Sequence, residues 1–463
     1  MALSKPIVIN NFQEGIGASP VVGFSNIRNL SISDRPGIVY PNPPLLKDGT
    51  TTITERPIAF KYFSGQTYAV VGVDLWWDNS ATDNWEERES SFASGKLAVW
   101  RDYLIGGLTT NIYFLDSLGN DYNIGGLTTT GHQMCIVLND AVYIVGGNNI
   151  TKLSEDTGET FDPTDSGTYT LEVNKLKLPF GVTAKCVTTW NNLLVIGGDD
   201  GVIYTWNGVS DYFADSSQAS ESNVQRLITV NRLVYAQIGN FGNWYFFDGI
   251  RTQLVKEMPT HLFELGVSGA YFEPEGVCEV NNKIYFGMET GNSVDNAGVY
   301  SLDLKTNALA CEDQVLGGNT NSVFLGGMLA KGDKQYYIGW EEAEGTTSYG
   351  IDFKNDSSCY NNNRAYLETQ VIDLVQDEFQ STTLEKITLV FANELATDDS
   401  AVVWVRENLT DAWTALGDPF QTVDTDGVII KNLNAIPALK SIQLKIALNG
   451  GDDGARLKSI ILK

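Results

Sequence analysis

Histidine is almost missing from this chain. Its 463 residues contain two, His132 and His261. A Ser-His-Asp triad would have to use one of them, beside a nucleophile and an orienting carboxylate. His132 lies in Gly131-His132-Gln133-Met134-Cys135, which reads as the start of a strand. His261 lies in Pro259-Thr260-His261-Leu262, a loop or helix start. Each reads as a structural or surface histidine. The usual metal and nucleotide motifs are missing as well: there is no HExxH, CxxC, P-loop or GxGxxG context. A zinc site would have to recruit scattered ligands.

Basic residues are scarce. Lys plus Arg number 31 against 57 Asp plus Glu, a formal charge of −26. A general nucleic-acid binder needs cationic groups to displace condensed counterions, so that class is disfavoured. So is attachment to an anionic membrane surface. No apolar run approaches the roughly 20 residues that span a bilayer. The opening Met1-Ala2-Leu3-Ser4-Lys5-Pro6 has no apolar h-region, so synthesis and use without Sec export are expected. Cysteine is sparse and odd in number: Cys135, Cys186, Cys278, Cys311 and Cys359. That pattern predicts reduced, buried thiols and not a disulfide scaffold. With 43% apolar and 11% aromatic residues, disorder is excluded.

Carboxylates are abundant, so a glycosidase pair is not excluded by counting, yet no pair stands out. Asp199-Asp200-Gly201 and Gly451-Asp452-Asp453-Gly454 superficially resemble calcium loops, but neither has EF-hand spacing. Both read as tight turns.

Short apolar runs ending in glycine recur through the middle. The glycines are Gly72, Gly106, Gly146, Gly197, Gly239, Gly287 and Gly339, at intervals of 34, 40, 51, 42, 48 and 52 residues. That is the size of a four-stranded propeller blade, about 40–50 residues. Each unit has a similar grammar. An apolar strand such as Lys185–Trp190 leads to a polar turn such as Asn191-Asn192. The Gly-terminated strand follows, then a third, aromatic strand such as Val202–Trp206. One meander of this kind buries too little to stand alone, whereas radial stacking covers both faces. The glycines suit crowded inner strands. The expectation is an all-β chain with a β-propeller over 55–360. Seven blades are expected, or six if the first short unit belongs elsewhere; a long sandwich array is the competing arrangement. Ser154, Asp156, Gly158 and Thr160 resemble the Asp-box hairpin of sialidase-like propellers. In that family the hairpin is structural. The arginine cluster and Tyr nucleophile of a sialidase cannot be singled out here.

The ends differ from the middle. Residues 1–54 are rich in Gly, Pro, Ser and Asn and read as an extended arm on the propeller or on a neighbouring subunit. Residues 364–463 hold six or more short strands with period-two alternation. Ile442, Leu444, Ile446 and Leu448 would face one side and Gln443 and Lys445 the other. An antiparallel β-sandwich is expected. Trp404 and Trp413 are candidates for a sugar platform, with core packing the simpler role.

The arm, "GIGASP…GFSNIRNLSISDRPGIV", resembles the opening of virion proteins from tailed bacteriophages. The end, "YLETQVIDL…KITLVFANEL…AVVWVREN…AWTALG…KSIQLKIAL", is similar to the sandwich that closes many phage structural proteins. In size and layout the chain resembles the tail nozzle, or tail-hub, proteins of short-tailed phages. That resemblance implies a structural virion protein with no enzyme activity and no cofactor. It would be made in the host cytoplasm and reside in the virion tail. Its partners would be copies of itself in a hexameric ring, the portal and adaptor, and fibre or spike proteins. Double-stranded DNA would pass without specific binding, and there would be no membrane insertion. Arg28, Asn29, Arg35, Pro36 and Gly37 are the candidate intersubunit arm contacts. An acidic lumen would repel phosphates and let a duplex slide. Equally, the charge would keep a large β-protein soluble and suppress edge pairing. The alternatives are a glycan-binding adhesion protein and, further off, a propeller glycoside hydrolase or lyase.

Overall fold

A computed structural model describes all but residues 1–5, 13–14, 18–23, 33–37, 129–132, 264–268, 290–296, 315–322, 333–334, 343–346, 355–363, 376–380, 393–394, 397–398, 417–418, 420–427 and 451–454; for 428–438 it describes the backbone alone. The regular structure of the described residues is strand, apart from 3-10 turns such as Thr260–Leu262.

Seven antiparallel meanders follow one another as blades: blade 1 (57–89), blade 2 (94–125), blade 3 (133–177), blade 4 (184–218), blade 5 (224–256), blade 6 (277–313) and blade 7 (323–354); the first strands of blades 2 and 3 also pair in parallel, which joins those two blades into one eight-stranded sheet. Each first strand neighbours the next, and Val323–Gly332 of blade 7 returns to Pro57–Phe63 of blade 1, so the ring closes. Seven units is the count read from the repeat. In blades 1, 3, 4, 5 and 6 the turn between first and second strands has left-handed φ at both central residues, as at Asn191 (47°) and Asn192 (59°) or Asn281 (54°) and Asn282 (63°). That is the type I′ turn whose twist suits a two-residue hairpin, and asparagine tolerates it.

The repeating glycines fall where the repeat grammar puts them, in the strand that follows the first apolar strand of each unit. They lie in, or directly after, the second strand of each blade, as with Gly197 in Leu193–Gly198 and Gly287 in Lys283–Met288. The physical reason is contact between blades. A Cβ at Gly197 would stand 2.5 Å from Val224, where blade 5 begins. At Gly287 it would stand 2.7 Å from Leu325 of blade 7, and at Gly339, 2.4 Å from the Pro57 carbonyl oxygen of blade 1. Small residues there let successive blades close up.

Blade 7 supplies three strands of its own. Its fourth is Leu45–Lys47 from the arm, paired antiparallel with Ser348–Lys354. Arm strand Phe24–Arg28 lies between Leu309–Asp313 of blade 6 and Tyr366–Thr369 beyond the propeller. One ten-stranded sheet therefore runs from blade 6 through the arm into Ser441–Asn449 and Ser400–Arg406. A four-stranded sheet faces it. There Ile7–Ile9 pairs with Leu457–Leu462, followed by Thr382–Phe391 and Val428–Leu439. Between the two lies one apolar core. It takes Phe12, Ile16, Phe24 and Ile27 from the arm, Trp244, Phe286 and Tyr300 from blades 5 and 6, and Leu384, Ile387, Ile446 and Ile460 from the end. Full burial of each such side chain stabilises by roughly 1.5–3 kcal/mol. Ile442, Leu444, Ile446 and Leu448 are all buried as the alternation predicts. Gln443 is buried too, because the arm covers it: its Nε2 donates to Ser25 Oγ at 2.9 Å and to the Thr369 carbonyl at 2.7 Å.

Candidate functional site

The arm residues singled out in the sequence turn inward. Arg28 is 1% exposed, its Cζ 5.9 Å from the centre of the Tyr366 ring. Asn29 is fully buried with φ 54°. Its Nδ2 donates to the Arg364 carbonyl at 2.8 Å and to Gln314 Oε1 at 3.2 Å, and its Oδ1 accepts the Gln314 N–H at 3.0 Å. Both residues are thus packed inside the chain and do not face outward toward another copy. Arg35, Pro36 and Gly37 lie outside the described residues.

Buried ions that the sequence reading missed fasten the arm to blades 6 and 7. Asn42 Nδ2 donates to Glu312 Oε2 at 2.7 Å. The other Glu312 oxygen accepts from Lys283 Nζ at 3.1 Å and Ser301 Oγ at 2.7 Å. Next to it, Asp313 is fully buried and accepts from Lys354 Nζ and the Tyr336 hydroxyl. Lys354 also donates to the Pro43 carbonyl at 2.7 Å. Burial pushes the Asp313 carboxyl up to about 6, against the pull of Lys354. The available signal was charge inside apolar strands: Glu312-Asp313 follows Leu-Ala-Cys, and Lys283 opens Ile-Tyr-Phe.

A second group of ions gathers where the first strands begin, at one mouth of the propeller axis. Lys96 of blade 2 meets Glu275, which precedes blade 6, at 2.7 Å. Blades 2 and 6 are not neighbours, so this pair crosses the bore. Lys61 of blade 1 is beside it, and burial, then Lys96, holds its ammonium below the usual range. Arg226 is fully buried; it donates to the Glu273 carbonyl at 2.6 Å, Gln237 Oε1 at 3.0 Å and the Gly287 carbonyl at 2.8 Å. Arg56 stacks over Tyr271 with Cζ 4.4 Å from the ring centre. It reaches Glu341 at 3.5 Å and Glu273 at 3.9 Å. Burial raises Glu273 and Glu289 to about 7 each.

The opposite face is made of turns. Third and fourth strands are joined by a recurring Asx turn. Asp116 Oδ1 accepts the N–H of Leu118 at 2.9 Å, Asn207 Oδ1 that of Val209 at 2.9 Å, and Asp248 Oδ1 that of Ile250 at 3.0 Å. The third residue is thereby turned outward: Leu118, Val209 and Ile250 are 86%, 69% and 78% exposed. At the Asp-box sequence, Ser154 lies in the third strand of blade 3, which ends at Glu155, and pairs with Thr170. Asp156 Oδ1 accepts from Thr170 Oγ1 at 2.6 Å, and Gly158 turns the chain with φ 92°. Ser154, Asp156 and Gly158 border a cleft of about 360 Å³ together with Arg101, Asp140 and Lys152; Thr160 stands outside it.

The other flagged residues have ordinary surroundings. His261 Nε2 lies 2.7 Å from the Ser25 carbonyl oxygen, and His132 is outside the described residues. Asp199 and Asp200 are turn residues that accept the N–H groups of Thr183 and Val202 at 2.9 and 3.1 Å; 451–454 are not described. Among the described residues, no three His, Cys, Asp or Glu converge as metal ligands. Cys135, Cys186, Cys278 and Cys311 are buried free thiols, and Cys359 is outside the described residues. Trp404 and Trp413 are both half-buried, and Arg406 lies 4.3 Å over the Trp413 ring.

No protein-family model and no curated protein matches the sequence. Among solved structures, the computationally designed Ika8 protein is 15% identical, covering 70% of this chain and 96% of its own, with a TM-score of 0.41. The β-propeller domain of Myceliophteria thermophila Cps50 (Swd1) is 10% identical over 67% of this chain and 100% of its own, with a TM-score of 0.48. The extracellular domain of the putative one-component system BT4673 from B. thetaiotaomicron is 12% identical over 85% of this chain and 47% of its own, with a TM-score of 0.47. The seven-bladed all-β propeller rests on the chain's own strand order and ring closure.

Proposed function

We propose that this chain is a structural virion protein, a tail nozzle or hub subunit that works in a homo-oligomeric ring, and that its task is mechanical. The observation that supports this most is that the arm strands Ile7–Ile9, Phe24–Arg28 and Leu45–Lys47 each enter a different sheet. Propeller and sandwich share strands as well as a core, so force applied to one is carried to the other. A binding module on a flexible linker has no need of such a join. The ion pair across the bore also bears on the route of DNA. A duplex would run in the lumen between subunits and not through any single propeller. The excess of acidic side chains would leave that lumen non-adhesive. Electron microscopy of particles carrying a C-terminal label tests this directly. A ring beneath the portal and adaptor is the expected result; a protein that is monomeric under every assembly condition contradicts it.

One observation favours a second reading, a glycan-binding adhesion protein. The 360 Å³ cleft at the Asp156 hairpin is lined by Arg101, Asn139, Asp140, Glu155 and Asn207, a polar set suited to sugar hydroxyls. Saturable binding on a glycan array, lost in Asp156→Ala, would favour it.

A further inference from the structure

We infer that the axial mouth of the propeller is a binding site for an organic cation, an alkylammonium or guanidinium group carried on an apolar stem. The first ground is a local charge deficit. Glu273, Glu289 and Glu341 gather about the guanidinium of Arg56, and with Glu55 and Glu275 they outnumber the cations of this mouth, Arg56, Arg226, Lys61 and Lys96. Arg226 is close and its charge acts on Glu273, but its hydrogen bonds go to two backbone carbonyls and the Gln237 amide oxygen. Glu275 is committed to Lys96 across the bore. Glu55 lies alongside Arg56 on the same rim and adds further negative charge.

The second ground is an unsatisfied atom. Glu289 is 8% exposed, and its Oε2 has no hydrogen-bond partner. Its electrostatic neighbours are Arg56 and Glu341. A buried carboxylate oxygen without a donor costs free energy unless a proton or a cation satisfies it. The third ground is shape. Arg56 and Glu341 border a cleft of about 380 Å³ whose remaining walls include Ile58, Val73 and Tyr349. The cleft's own carboxylates are Glu55 and Glu341, and Glu289 is an electrostatic neighbour of Glu341; together with the apolar walls they suit a cationic head on a hydrocarbon stem. A bare metal ion is a poorer match, since no three ligands converge among the described residues.

In the unliganded protein, protons fill the deficit. Glu273 and Glu289 have carboxyls raised to about 7 by burial; Arg56, Tyr271 and Arg226 pull Glu273 down and Glu275 pushes it up, while Arg56 pulls Glu289 down and Glu341 pushes it up. A bound cation would displace those protons. Proton release thus separates a true site from a diffuse counterion cloud.

The test is calorimetric titration of the full chain at low salt with agmatine, with spermidine and with a blocked Gly-Arg-Gly peptide. It is run at pH 6.5 and 8.5 in buffers of different ionisation enthalpy. One saturable equivalent is expected, with protons released at pH 6.5 and none at 8.5. Glu289→Gln should weaken binding by about tenfold, the scale of one charge-assisted contact. Glu341→Gln is the second variant should the first fail to fold. Asp156→Asn, on the other face, should change nothing. Preference for the peptide would point to a partner's side chain and preference for spermidine to a free polyamine; either supports the site. No saturation with any probe, equal binding by the Glu289 and Glu341 variants, or no proton release at pH 6.5 would overturn it.

Discussion

Blades 1 to 5 and blades 6 and 7 are built on different plans. The first five each take four consecutive strands from one stretch of chain. Blade 7 waits for Leu45–Lys47, and blade 6 continues through Phe24–Arg28 into the sandwich. Pairings in the first group span tens of residues; Ser25 and Thr369 meet across 344. Five of the seven blades are therefore locally determined, and the other two depend on a segment from the far end of the chain. The buried Lys283–Glu312 and Lys354–Asp313 pairs occur in those two blades, where the arm docks.

Removing residues 1–47 should separate the two plans most sharply. It deletes a blade strand, the sheet-to-sheet bridge and part of the shared core. Calorimetry should replace one cooperative transition by a broad, early one, with loss of the sandwich signal. Lys354→Met comes next, because it leaves Asp313 buried without its cation. Removing one partner of a buried pair costs about 3–5 kcal/mol. Urea unfolding should show that loss, and adding Asp313→Leu should recover much of it. Asn29→Ala should cost about 1–3 kcal/mol through lost buried hydrogen bonds and a left-handed backbone. Asn29→Gly should restore only the backbone part.

A pH experiment probes the axial mouth. Glu289 has a folded carboxyl raised to about 7, above its ordinary 4.5. The folded state then holds more protons than the unfolded one between those values, so this group's contribution falls as pH rises through 7. Glu289→Gln should be more stable than the parent by about 1 kcal/mol at pH 8, with the gap closing below pH 5. The smallest effects belong to the exposed turn tips. Leu118→Ser and Ile250→Ser should shift stability by about 0.5 kcal/mol or less.

Much of the local plan was legible in the sequence. The Gly-terminated runs marked second strands, and paired Asn and Asp marked the I′ turns. Alternation at 442–448 gave the buried face of its strand. Each of these signals is written in neighbouring residues. The role of Asn29 was not legible, because its partners Gln314 and Arg364 lie 285 and 335 residues away. Glu312 and Asp313 were hidden by the abundance of carboxylates, since nothing local separates a buried acid from a solvated one. Trp404 and Trp413 are half-buried for separate reasons: Trp404 alternates with the buried Val403 and Val405 on Ser400–Arg406, whereas Trp413 lies outside the strands.

Hydrogen exchange of the intact chain tests the joining role of the arm most directly. The account predicts that amides of Phe24–Arg28 exchange among the slowest, together with Leu309–Asp313 and Tyr366–Thr369, as a single protected unit. Fast exchange of the arm strand while its two neighbours stay protected would contradict it.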